Sequence, residues 1–287
     1  VSAGAASQTT VVLAVRFDHV SERFADAFAS IRAQARQTPI VVVDNASTSP
    51  IPPLPGAWVV RAPSQVSAGA ARNLGLTRVT TPYVVVWDAY DIMLPGTLSI
   101  LESTIAANPG LVAFAMAILD DPSRARHHWP PRWIARLISR PHVFGLLNAI
   151  WPLYPTTGAT IIRTELVRAV GGYGDADSGE DWALGLSLAF RGAVGWSERP
   201  GRLHRIPQES PDITTQAELR RHASTIRERI RSDGGIPDWV RISLPAIWLA
   251  QWVTIGTRVV LEALRQRIGT HVGLEALRQR RQDHTTR

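Results

Sequence analysis

Lysine is absent from all 287 residues, so every one of the 31 basic side chains is an arginine. That removes any chemistry needing a primary amine, including a phosphate-gripping loop ending in Gly-Lys-Ser/Thr. Cysteine is absent as well, which excludes a disulfide framework and a thiolate zinc site but leaves the compartment open. Val1 to Thr10 is small and polar, with no basic residues ahead of an apolar core, and does not read as a signal peptide. The uncharged stretch Ile242 to Thr257 is interrupted by Pro245 and Gly256. It is shorter than the ~20 apolar residues that a membrane-spanning helix needs.

What is present has the size of one large domain, or one domain with an extension. Formal net charge is +7. A guanidinium is a planar fork suited to phosphate, so the bias favours anionic ligands, anionic membranes or nucleic acid. Base-composition bias in the genome produces the same enrichment without function. The arginines are scattered and no nucleic-acid reading motif is found, so no nucleic-acid partner is expected.

Hydrophobic periodicity alternates between strand and helix. Val11–Val15, Ile40–Val43, Trp58–Val60, Tyr83–Trp87, Leu111–Met116, Thr160–Ile162 and Val194–Trp196 read as short strands. Helical spacing lies between them: Phe24 to Ala35, Gln65 to Thr77, Leu98 to Ala106, and Glu180 to about Arg191. Strands alternating with helices predict an α/β fold with a mainly parallel sheet covered on both faces. The run Tyr83-Val84-Val85-Val86-Trp87-Asp88-Ala89-Tyr90-Asp91 stands at its centre. It ends a buried strand in two carboxylates, and ligands sit at the carboxyl ends of such strands. Acidic residues there can hold a hard cation against phosphate oxygens. A plain turn explains Asp after a strand equally well.

Seven motifs in order, each at a strand or helix end, carry a family resemblance. They are Val42-Val43-Asp44-Asn45-Ala46-Ser47, Gly69 to Gly75, Trp87 to Asp91 with Pro95, Gly158 to Arg163, Gly171-Gly172-Tyr173, Gly179-Glu180-Asp181-Trp182 and Arg202-Leu203-His204. Together, over roughly Val11 to Ser210, they resemble an inverting glycosyltransferase of family 2 with the GT-A fold. The resemblance implies transfer of a hexose from a nucleoside-diphosphate sugar to a hydroxyl on a saccharide, lipid-linked or other acceptor. It implies donor contacts at Arg16, Asp44, Asn45, Arg72 and Asp88, and acceptor contacts at Trp182 and Gly158. Asp181 is implied as the general base, with Glu180 beside it, since direct displacement needs a carboxylate to take the acceptor proton. A divalent metal, Mg²⁺ or Mn²⁺, is implied on Asp88, Asp91 and His204.

Two positions depart from the family's pattern. Ala14 replaces the usual proline near Arg16. Tyr90 stands where the family places a metal-binding carboxylate, and a phenol with a pKa of ~10 is a poor ligand for Mg²⁺. Either Asp91 takes over that role, or metal binding is weakened or lost. A degenerate GT-A domain that binds a nucleotide sugar, or scaffolds a partner, without catalysis is the competing reading. An oxidoreductase is excluded because Ala14-Val15-Arg16-Phe17-Asp18 occupies the place of the Gly-x-Gly-x-x-Gly loop.

The expected organisation is a flexible N-terminus at 1–10 and a catalytic domain at 11–210. Its nucleotide-sugar half spans about 11–95 and its acceptor half about 96–210. A C-terminal helical extension at 211–270 and a basic tail at 271–287 follow. The Arg/Trp segment from Arg124 to Trp151 is placed on the acceptor side or read as a basic amphipathic helix on the sheet. Leu244, Trp248, Trp252, Ile255 and Val259 are placed on one helical face. Residues 242–268 are expected either to lie on a membrane or to pack on protein. A cytoplasmic location is expected, with peripheral contact at the inner face of the membrane under the first of these alternatives. Leu261 to Arg267 recurs as Leu274 to Arg280, a local duplication.

Overall fold

The computed structural model describes residues 7–15, 22–34, 37–120, 140–154, 156–205 and 216–257. Arg16, the segment Arg124 to Arg136 and the repeat beyond residue 257 lie outside the described residues.

Strand β1 (Thr9–Val15) is central, with β2 (Ile40–Asp44) and β3 (Ala57–Arg61) stacked parallel to one side of it. The chain then crosses back, and β4 (Tyr83–Asp88) pairs parallel on the other side of β1. Beyond β4 lie β7 (Thr160–Arg163), β6 (Leu111–Asp120), β8 (Ala193–His204) and the two-residue β5 (Ile92–Met93), giving eight strands in the order β3-β2-β1-β4-β7-β6-β8-β5. The β4–β7, β6–β7 and β5–β8 pairs are antiparallel and the rest parallel. The sheet is therefore mixed and mostly parallel.

Period-2 alternation sends side chains of each strand to opposite faces, and both faces are covered. On one, Val11, Leu13, Val42 and Val85 pack under α1 (Glu22–Arg32) and α3 (Thr97–Ala107) through Phe24, Ile31, Leu101 and Ile105. On the other, Val12, Val43, Val84 and Val86 meet α2 (Ala68–Leu76), α4 (Pro141–Ile150) and α6 (Glu180–Ala189) through Ala71, Leu76, Phe144, Leu184 and Leu188. The short α5 (Thr164–Ala169) follows β7. A third cluster joins Leu186 of α6, and Phe190 just after it, to Ile226 and Ile230 of α7 (Gln216–Ser232), Val240 of α8 (Asp238–Ile242), and Ile247 in a helical run over 244–257.

The small residues of α2 let it approach closely. A Cβ on Gly75 would overlap Val12 and come within 3.0 Å of Val43. One on Gly69 would stand 2.7 Å from the Gly174 carbonyl oxygen.

Three expectations differ from the structure. β5, α4 and α5 are not separate elements in the sequence reading: two and six residues carry little periodic signal, and α4 falls in the Arg/Trp segment that Pro130, Pro131 and Pro141 interrupt. The last strand, expected only over Val194–Trp196, extends to take in Arg202 to His204, since β8 runs on through register shifts against β6. The 242–257 face also divides differently. Ile247, Gln251 and Ile255 point inward, and Trp248 and Trp252 point out.

Candidate active site

The order of the sheet reverses between β1 and β4, and at such a switch point the loops part to leave a crevice. A cavity of about 290 Å³ lies there, lined by Ala14 and Val15 from β1, Asn45, Arg72, Asp88 to Tyr90, Asp177 and Glu180. A larger groove of about 1100 Å³ runs between residues 170–178 and α7, sharing Asp177 with the first. The smaller cavity is the candidate site, because the strand ends and the charged groups converge on it.

Asp88 closes β4 and is gripped by two arginines, Arg72 Nη2 at 3.2 Å and Arg202 Nη2 at 2.8 Å. Burial works to raise its pKa, but the charges of Arg202, then Arg72 and His204, outweigh burial and hold it below the usual range. Both guanidiniums are in turn held firmly cationic: burial disfavours their charge, and the surrounding carboxylates outweigh it. Arg72 also pairs with Glu180, and its guanidinium lies 5.4 Å from the centre of the Tyr173 ring. Arg72 therefore ties the end of β4 to the start of α6. Glu180 is buried, and its pKa is raised by that burial and then by Asp181, against the pull of Arg72.

Asp181 is half-buried in the first turn of α6, where the helix dipole favours a carboxylate. Its carbonyl accepts from Thr156 Oγ1 at 2.7 Å, and its Oδ1 accepts the Trp182 N–H at 2.7 Å. Gly179, with φ of +77°, makes the turn into this helix, and a Cβ there would stand 2.9 Å from His222 Cα on α7.

The structure brings most of the sequence-derived residues together but changes what several of them do. Asp44 is 1% exposed and saturated, accepting from Ser47 N, Ile51 N and Arg61 Nη1 at 2.8, 3.2 and 2.5 Å. Burial raises its pKa, while Ser47, Ile51 and Arg61 together lower it further than burial raises it. Asn45 pins residue 66 in both directions, through its amide and its carbonyl. Trp182 is buried in the third cluster, with its indole N–H on the Asn148 carbonyl, so its ring is not presented to a ligand. Gly158, with φ of +81°, leaves the space that Arg202 fills. It acts on Asp88 through that arginine.

The residues implied as metal ligands do not fit a divalent cation in this arrangement. Arg202 lies between Asp88 and Asp91 and pairs with both. Asp91 is 1% exposed, and also accepts the Arg205 backbone N–H at 2.9 Å with His204 Nδ1 at 3.2 Å. The Trp87 indole fixes this turn by donating to the Asp91 carbonyl at 2.9 Å. Tyr90 adds a phenol where a third carboxylate would complete the set.

Sequence reasoning counted Arg202 in a motif but gave it no role in the site, although it shares a strand face with His204 at a spacing of two. It also passed over Asp177, whose Oδ1 accepts the Ala68 N–H at 3.2 Å and which lines the cavity from a loop far along the chain.

The fold is GT-A-like. The crystal structure of S. aureus TarS residues 1–349 in complex with UDP-GlcNAc superposes with a TM-score of 0.58 at 14% identity, covering 79% of this chain and 67% of that one. The same TarS fragment without ligand gives 0.58 at 14% identity over 84% and 70%, and its UDP complex 0.56 at 17% over 79% and 66%. No curated protein matches the sequence. The model of glycosyl transferase family 2 matches residues 11–164, more than half of the chain. The chain belongs to glycosyl transferase family 2 and is a glycosyltransferase. The family typically uses a divalent metal. No described helix is long and apolar enough to cross a membrane.

Proposed function

We propose that the chain transfers a sugar from a nucleoside-diphosphate donor to an acceptor hydroxyl with inversion, using Asp181 as general base. The observation that carries the reading is the bridge made by Arg72, from Asp88 at the end of β4 to Glu180 beside Asp181. One guanidinium thereby couples the strand end proposed for the diphosphate to the helix start that carries the proposed base. The catalytic unit spans residues 11–210, with the helices after it as an extension.

In this reading the Asp181 carboxylate takes the acceptor proton as the acceptor oxygen attacks the anomeric carbon. The bond from that carbon to the diphosphate oxygen breaks, and the nucleoside diphosphate leaves with the electron pair. Stabilising its developing charge is the largest demand on the site. Arg72, Arg202 and His204 are the cationic and hydrogen-bonding groups placed to meet it. Asp44 and Asn45 shape the nucleotide side by fixing the turn after β2, and Arg61 offers a half-exposed cation there. Glu180 is engaged by the Arg72 guanidinium, which leaves the Asp181 carboxylate as the base.

UDP-GlcNAc is the first donor to test, because the similar TarS fragment was solved with it. Turnover is read as nucleoside diphosphate released across a panel of nucleotide sugars, with binding followed separately by calorimetry. Asp181→Asn is expected to abolish turnover and keep donor binding. Unchanged turnover in that variant would overturn the base assignment. Donor binding without turnover in the wild type would favour a non-catalytic domain, and no nucleotide binding at all would sink the reading.

A further inference from the structure

The helical run over 244–257 and the short helix before it present an apolar face that nothing in the transfer reaction explains. Ile242 is 79% exposed, Leu249 62% and Val253 60%, and three indoles, Trp239, Trp248 and Trp252, are 44 to 49% exposed. Within the run, Trp248, Leu249, Trp252 and Val253 share the outer side, opposite Ile247, Gln251 and Ile255, which seat it on the domain, while Trp239 and Ile242 stand on α8 just before it. No Asp, Glu or Arg occurs from Ile242 to Thr257. A patch of this kind marks an interaction site rather than ordinary surface.

Its border is cationic. Arg220 lies over the Trp252 ring at 4.6 Å, and Arg227, two turns along the same helix, donates to Gln251 Oε1 at 2.9 Å. The sequence continues past the face with Arg258, Arg265 and Arg267 against a single Glu262. Indoles on an uncharged helix face, rimmed by arginine, match the chemistry of an anionic lipid surface. Such helices lie in the interface plane, with Trp and Leu in the headgroup boundary and Arg near the lipid charges. We propose that this outer face, from Trp239 to Val253, docks the protein on anionic membrane surface, with Arg220 and Arg227 reading the headgroup charge. The docking is a binding function separate from the transfer chemistry, and none of these residues lines the donor cavity.

The test uses the full chain and co-sedimentation with vesicles of phosphatidylcholine, with and without phosphatidylglycerol. Binding to the phosphatidylglycerol vesicles is expected, at least tenfold stronger than to neutral ones. The exposed-site double variant Leu249→Asp, Val253→Asp is expected to lose at least tenfold of that binding with unchanged circular dichroism. Arg220→Gln and Arg227→Gln should each weaken binding to the anionic vesicles by about fivefold and leave binding to neutral ones unaltered. Absence of vesicle binding, or equal binding by wild type and the double variant, overturns the proposal. So does a dimer in lipid-free solution that the double variant dissociates, since a second copy would then be the occupant.

Discussion

Arg202 shows how much one side chain can commit. It is 8% exposed and pairs with two carboxylates at once, and Gly158 clears the space for it. Removing one partner of a buried ion pair leaves the other charge unpaired, at a cost of about 3 to 5 kcal/mol. Arg202→Ala is therefore expected to lower the unfolding free energy by about that amount in urea titrations, and to release Asp91. The same geometry makes a metal prediction. Nucleoside-diphosphate binding should change less than threefold when EDTA replaces Mn²⁺, and Tyr90→Asp should introduce an Mn²⁺ dependence. A wild-type affinity that collapses in EDTA would show that Arg202 yields its place to a cation.

The absence of lysine also acquires a physical reading at this scale. Arg163 donates to the Leu111 and Ile105 carbonyls, Arg168 to Leu76 and Val79, Arg229 to Val170 and Gly172, and Arg241 to Ile230 and Asp233. A planar fork with several N–H groups spans two carbonyls, whereas an ammonium is a compact point charge. Part of the arginine excess is structural clamping rather than anion binding.

At the scale of elements, α2 and β8 position the site. The glycines of α2 bring its backbone against β1 and against the loop before Asp177, and that closeness places Arg72 over the end of β4. Gly75→Val is expected to destabilise the protein by about 1 to 3 kcal/mol through overpacking against Val12. Gly110→Ala, where a Cβ meets nothing within 4 Å, is a near-neutral control in the same urea measurement. β8 matters because its register shifts let one strand carry both Arg202 and His204 to the far side of Asp88 and Asp91. Periodicity marks only its first residues, since Glu198, Arg199 and Pro200 interrupt the apolar pattern, while the ladder skips Glu198 and Arg199 and resumes at Pro200.

For the molecule as a whole, buried carboxylates set the response to acid. Asp44, Asp88 and Asp233 are all held below the usual range: burial opposes this in each, and their hydrogen bonds and arginine neighbours outweigh it. Between the folded and unfolded values the unfolded chain binds more protons, so stability rises with pH. The stabilisation is present above the unfolded pKa of ~3.9 and is lost as pH falls through the folded values. Glu180 works in the opposite sense, since its raised pKa favours the fold at low pH and that contribution is lost as pH rises. Among the described residues three such carboxylates stand against one, so thermal midpoints should fall steadily from pH 5 to pH 3. A flat profile would mean that these pairs contribute nothing to stability.

The sequence by itself determined the α/β class, seven of the eight strands among the described residues and the approximate places of most helices, because periods of 2 and 3.6 are local properties. It also determined that Asp88, Asp91, Glu180, Asp181 and His204 stand at element ends, since ordered motifs are visible without contacts. Only the tertiary structure decided their partners. Arg72 meets Glu180 across 108 positions, and Arg202 meets Asp88 across 114. Pairings at that separation depend on strand order, which no local pattern encodes. The same limit explains why Trp182 was expected at a ligand and is in the core, and why Trp248 and Trp252 lie on the outside of their helix. Burial depends on what packs against a face, and a sequence shows only that the face exists.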